Sequence, residues 1–345
     1  MFRGGRYLSA IALLLLTVSV GVGQTPPITA EVVRSEFIFD KADFPSCHAS
    51  TVVSTEDGLV AAWFGGLYER HPEVSIYVSR DSAGHWTAPV KVADGVQRNG
   101  KQYPCWNPVL FKTVEHLILF YKVGPSPQTW WGLYKLSDDN GRTWSEAKAL
   151  PKGFLGPVRC KPMMLSNNEI LYGTSVEKGD LEWYVHLEKS DSQLKHWQKV
   201  KIDNDTMIAI QPTFLKYPDN RLQMLCRTKN RCVAESWSKD GGKTWSALKN
   251  SGFANNNSGI DAVTLSNGIQ LMVCNPIAEV DYSKGRNKLA LFCSEDGEHW
   301  QQLLMLEDEP SGEFSYPAII VDDAGIVHIT YTYNRVKIKH VSVEC

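Results

Sequence analysis

A short pattern that returns six times constrains this chain more than any other feature. "CHASTVV" begins at Cys47, and after it come "WNPVLF" from Trp106, "CKPMML" from Cys160, "IQPTFL" from Ile210, "IDAVTL" from Ile260 and "SYPAII" from Ser315. Each has one polar residue, then Pro or Ala, then a short apolar strand. Aligned on that Pro or Ala, the polar residues are His48, Asn107, Lys161, Gln211, Asp261 and Tyr316, at separations of 59, 54, 50, 50 and 55 residues.

A second repeat interleaves with the first: "SRDSAGHW" from Ser79, "SDDNGRTW" from Ser137, "SDSQLKHW" from Ser190, "SKDGGKTW" from Ser238 and "SEDGEHW" from Ser294. Two match Ser-x-Asp-x-Gly-x-Thr-Trp in full, the first has its Gly shifted, the third has lost Asp and Gly from their places, and the last is one residue short. Asp and Gly make a tight turn, Ser and Asp bond the turn backbone, and Trp packs beneath it, so these boxes staple a fold and perform no chemistry.

Between slot and box lie about three short alternating strands, as in "GLVAAWFGG" and "VSIYVS". Roughly four strands per unit of about 50 residues is the signature of a propeller. The count predicts an all-β fold, a six-bladed β-propeller with Asp-box hairpins. The last unit has no box, and "ITAEVVRSEFIF" near the N-terminus is available as its missing outer strand. In such a ring the first strand of every blade lines the channel, so the six polar slots are expected to converge on one funnel.

Length leaves one large domain or two ordinary ones open, and the repeat selects a single domain over 25–345. Thirty-six basic and 38 acidic residues, net charge −2, show no run of like sign, which excludes an electrostatic footprint for nucleic acid. Residues 1–24 read as a secretory signal, with Arg3 and Arg6, the apolar "IALLLLTVSV" and a small-residue cleavage region near Gly23 or Gln24. The expected product is a secreted or periplasmic protein with no membrane insertion. Eight cysteines without a CxxC pair read as buried small residues with one or two bridges. No metal-ligand spacing appears, and no cofactor is expected.

Slots and boxes together resemble the sialidase (neuraminidase) superfamily, the BNR or Asp-box propellers, over nearly the whole mature chain. The resemblance implies a Tyr nucleophile activated by a Glu, three arginines on a substrate carboxylate, and an Asp acid/base on a loop. "SYPAII" resembles the nucleophile strand and places Tyr316 there. "MLCRTKNRCVAESWSKDGG" and "CNPIAEVDYSKGRNKLALFCSEDG" resemble the segments of the second and third arginines, which fall on Arg227 and Arg286. The departures are specific. His48 stands where the first arginine belongs, Gln211 stands where the activating Glu belongs and cannot take a proton, and the acid/base loop "GGLYERHPEV" holds Glu69, His71 and Glu73 but no Asp.

Two arginines on one funnel argue for an acidic sugar, sialic or uronic, because a guanidinium fork matches a carboxylate. Trp106 and Trp131 are candidates to stack on it, and Asn107, Lys161 and Asp261 to line its site. Three activities stay open. A sialidase-like glycosidase would use Tyr316 with Glu69 or Glu73 as acid. A uronic-acid lyase would use His48 and Tyr316, with Gln211 as a neutral donor. A non-catalytic glycan-binding propeller would use the funnel alone. The acidic run "LEDEPSGEF" reads as a solvated loop, with Glu309 and Glu313 as alternative proton carriers. "NRVKIKH" reads as a terminal strand, on which Lys337, Lys339 or His340 are alternative ligand-side residues.

Overall fold

The computed structural model describes Met1 and residues 28–279 and 284–345. All regular structure among them is β, and no helix there is long and apolar enough to cross a membrane. The expected leader, residues 1–24, lies outside the described residues apart from Met1.

Six antiparallel sheets follow one another around a ring. We number the blades I to VI. Their innermost strands are Ser46–Thr55, Cys105–Lys112, Met163–Met164, Ala209–Lys216, Asp261–Thr264 and Phe314–Val321. Blade VI takes its outer strand from the start of the chain: Glu31–Phe37 pairs antiparallel with Lys337–Glu344. The ring therefore closes through non-local hydrogen bonds, as the missing sixth box requires. Apolar alternation on the strands buries cores between neighbouring blades, such as Val60, Leu119 and Tyr121 between blades I and II.

Three boxes form as the sequence suggests. In blade II, Ser137 donates to Asp139 at 2.8 Å, and Gly141 N–H donates back to Ser137 at 2.8 Å. Blades IV and V repeat this with Ser238 and Asp240, and with Ser294 and Asp296. In blade III, Asp191 sits one place early yet still takes the Lys195 and His196 N–H groups. The first motif is not a box: Ser82 pairs with His85 across a two-residue turn, with Ala83 at φ 52° and Gly84 at φ 84°. All eight cysteines are free, seven of them buried, so the expected bridges do not form.

Each inner strand runs from one face of the ring to the other. The slot ends and the loops joining second to third strands share one face, and the boxes lie on the opposite face.

Candidate active site

Four inner strands begin with the same distortion. The pairing register slips between His48 and Thr51, Trp106 and Val109, Ile210 and Thr213, and Ser315 and Ala318. Each slip is a β-bulge whose first residue has a left-handed backbone: Ala49 at φ 57°, Asn107 at 34°, Gln211 at 57° and Tyr316 at 53°. Such conformations are strained for residues with a Cβ, and they gather where a fold must aim side chains at a site. Asn107, Gln211 and Tyr316 line a cavity of about 350 Å³ on the slot face.

The bulges correct three of the sequence assignments. Blade I's equivalent of Asn107 is Ala49, so His48 is one residue out of phase. It is buried, bonds Thr332 Oγ1 through Nδ1 at 2.9 Å, and does not line the cavity. Blades III and V have short inner strands and no bulge, so Lys161 and Asp261 stay below. Asp261 accepts from Thr213 at 2.6 Å, from Ile319 N–H at 3.0 Å and from Lys161 at 3.0 Å, plugging the channel. They staple four blades together and do not reach the cavity.

Arg227 and Arg286 do line it, and Arg335 and Arg70 join them. Arg335 enters from the turn Tyr333–Val336, whose Asn334 and Arg335 both have positive φ. Glu313 ties the set together, accepting from Arg286 Nη1 at 2.9 Å and from Arg335 Nε at 2.8 Å. Glu69 takes Arg335 Nη1 at 2.6 Å. Burial and the Arg227 charge pull Arg286 below its usual value, the mark of crowded cations prepared for an anion.

Tyr316 stands at the centre. Arg227 Nη1 donates to its hydroxyl at 2.7 Å and also reaches Gln211 Oε1 at 3.4 Å, while Arg227 Nε donates to Asn257 at 2.8 Å. Burial alone raises a phenol, but Arg227 and Arg286 outweigh it and hold Tyr316 below the ordinary tyrosine value. The ring is bracketed: His48 lies 4.1 Å from it between centroids, and the Arg159 guanidinium lies 5.2 Å from its centroid. Arg159 is buried and donates to the carbonyls of Ile260, at 2.6 Å, and Pro317. Burial, then Arg335, Arg286, Arg159 and Arg227, push His48 well below its usual value, so it is neutral.

Three carboxyls line the cavity, Glu69, Glu177 and Asp180, the last fully exposed with Lys229 Nζ 3.9 Å away. Glu177 ends the strand Ile170–Glu177, and burial raises it above the usual carboxyl range despite Arg227 and Lys229 nearby. Glu73, by contrast, has a 75% exposed side chain and lies outside the cavity. Trp106 lines the cavity with its indole N–H held by Gly124 O at 2.8 Å. Trp131 does not: it begins the strand Trp131–Ser137 and packs at 5.5 Å on Tyr103, whereas its neighbour Trp130 faces the cavity. Trp183 completes the wall, with Lys229 Nζ 4.2 Å from its ring. Glu309 and Lys337, Lys339 and His340 lie elsewhere; Lys339, for example, is bound to Glu307 at 2.5 Å.

Comparison with known proteins agrees with this architecture. Residues 57–329 match the family model of the BNR repeat-like domain. No curated protein matches the chain by sequence. A protein of unknown function from Dyadobacter fermentans superposes with TM-score 0.73 at 15% identity, over 91% of this chain and 99% of its own. The NanB sialidase of Streptococcus pneumoniae gives TM-score 0.69 at 12% identity over 90% of this chain and 70% of its own. The Trypanosoma rangeli sialidase gives 0.67 at 15% over 87% and 55%. At these identities the likeness is one of fold, and since the family model spans most of the six blades, the chain belongs to the BNR repeat-like family.

Proposed function

We propose that this protein is a glycosidase acting at an acidic sugar, with Tyr316 as nucleophile. The observation that carries the reading is the Arg227 guanidinium on the Tyr316 hydroxyl within a cavity rich in arginine. Arg227, Arg286 and Arg335 bind the sugar carboxylate. The same positive charge takes over the task of the activating carboxylate that Gln211 cannot perform, because it stabilises phenolate relative to phenol. Phenolate attacks the anomeric carbon as the glycosidic C–O bond breaks. Glu177, the cavity carboxyl whose hold on a proton burial strengthens, gives its proton to the leaving oxygen. Water then cleaves the tyrosyl–sugar bond, its proton passing to Glu177 carboxylate. Glu69 is held on Arg335 as a counter-ion and Asp180 is exposed beside Lys229, which leaves the acid role to the more buried Glu177.

One observation favours a second reading: among the described residues no carboxylate hydrogen-bonds the Tyr316 hydroxyl, so an arginine-stabilised phenolate can serve as a base. In that case Tyr316 takes the proton alpha to a uronate carboxylate and Glu177 protonates the departing oxygen, giving an unsaturated uronate. His48 takes no part, being outside the cavity.

The test is a paired assay on a fluorogenic sialoside and on uronic-acid glycans followed in the near ultraviolet. Sialoside or reducing-sugar release that vanishes in Tyr316→Phe supports the glycosidase. Rising near-ultraviolet absorbance supports elimination, and silence in both with retained glycan binding leaves a binding propeller.

A further inference from the structure

The face opposite the cavity carries a groove of about 930 Å³ between blades III and IV. Its wall holds five lysines, Lys189, Lys199, Lys201, Lys239 and Lys243, against three carboxylates. The carboxylates are engaged locally. Asp219 binds Arg221 at 2.6 Å, Asp240 takes the Thr244 hydroxyl at 2.6 Å, and Glu169 accepts from Asn167 at 2.7 Å and Gln198 at 3.2 Å. Lys199, Lys201, Lys239 and Lys243 are exposed, and none forms an ion pair among the described residues.

Lys189 separates this groove from a chance patch. It immediately precedes the box serine Ser190. In the other boxed blades the residue at that place is Leu136, Trp237 or Cys293, each packed into an apolar cluster. In blade III it is a lysine, 4% exposed. Its ammonium makes no hydrogen bond and has only Glu169 as a counter-charge, 3.9 Å away. A lysine stem buried at a strand position with a single counter-charge at 3.9 Å is not needed for packing, since the repeat shows that the fold accepts an apolar side chain there. Trp245, half-buried beside it, gives the groove a flat apolar wall.

We propose that this groove is a second binding site, on the box face, for an anionic glycan, with a sulfate or carboxylate at Lys189 and the sugar against Trp245. The choice of a glycan over another polyanion rests on the cavity reading above. The groove itself is tested by binding, which needs no activity.

The experiment titrates the full chain with a labelled heparin-derived oligosaccharide, with dextran of equal length, inorganic sulfate and a single-stranded oligonucleotide as competitors. Expected is saturable, salt-sensitive binding that weakens about tenfold or more in Lys199→Glu/Lys243→Glu and persists in Arg227→Ala. Lys189→Leu should weaken it similarly and raise the melting temperature, since that side chain suits the site. Absence of binding overturns the proposal, as does loss confined to Arg227→Ala, which would place the oligosaccharide in the cavity. Displacement by inorganic sulfate at equal charge, or by the oligonucleotide as readily as by unlabelled oligosaccharide, would also overturn it.

Discussion

Tyr316 illustrates how one side chain inherits its chemistry from the groups packed around it. Its hydroxyl faces Arg227, its ring lies between neutral His48 and the buried Arg159, and its backbone is held left-handed by the bulge. Spectrophotometric titration should find a tyrosine ionising below the ordinary value, the signal should vanish in Tyr316→Phe, and Arg227→Met should return it upward. An unchanged titration in Arg227→Met would remove the electrostatic basis of the mechanism. Arg159 acts through the ring and through the carbonyls of Ile260 and Pro317, so it is a positioning residue. We expect Arg159→Met to raise the same ionisation and to lower kcat about tenfold, with KM nearly unchanged. A rise in KM alone would reassign Arg159 to ligand binding. Glu177→Gln should lower the rate and abolish the alkaline limb of the pH–rate profile, where a general acid loses its proton, while leaving binding intact; an unaltered profile would return the proton to Glu69 or Asp180.

At the scale of elements, bulges decide which repeated positions become a site. Tyr316, Arg227, Asn107 and Gln211 were legible in the sequence because Pro follows three of them and a strand motif frames the fourth. His48 was misplaced because Ala49 was matched to the prolines, when the bulge matches Ser50 to them; backbone twist leaves no mark in a short alanine-containing stretch. Lys161 and Asp261 share the motif, but their strands are too short to hold a bulge. Arg335, Glu177, Arg159 and Trp183 had no repeat to announce them, since they sit at hairpin loops or strand ends where only tertiary closure decides what faces inward. The boxes, being local hydrogen-bonded turns, were readable wherever Ser, Asp and Gly kept their spacing. One box residue also joins blades: Gly297 in blade V has φ +78°, and a Cβ there would lie 1.9 Å from Tyr217 Oη and 2.3 Å from Gln223 Oε1 of blade IV. Gly297→Ala should therefore cost about 2 kcal/mol or more by strain and overpacking, read as a lower denaturation midpoint with the far-ultraviolet spectrum unchanged. A midpoint within experimental scatter of the parent would show that the interface yields freely.

The whole molecule depends on its closure, where the strand Glu31–Phe37 meets Lys337–Glu344. A buried polar chain crosses that seam: Asp322 to His328 Nε2 at 3.1 Å, His328 Nδ1 to His340 Nε2 at 3.1 Å, and His340 Nδ1 to Glu36 at 3.2 Å. Glu36 is also held by Trp86 Nε1 at 2.8 Å and by Arg34, which reaches Asp81 of blade I. Three gaps are filled by three hydrogens, one toward each carboxylate and one between the imidazoles. A fourth proton would set two N–H groups face to face. Burial is the first cause, opposed by Glu36, and it lowers His340 from 6.5 to about 4. Unfolded, both rings take protons below pH 6.5, so between there and about 4 the unfolded chain binds more protons than the folded one. Stability is thus present above the upper value and is lost as pH falls through the window, by on the order of 2–3 kcal/mol. Melting temperature measured across this range should fall more steeply for the parent than for His340→Gln, and acid should release amide protection at residues 31–37 before it does so at the cavity. Superimposable slopes would mean that the seam holds by its backbone ladder alone, and that the imidazole pair is a passenger in the closure.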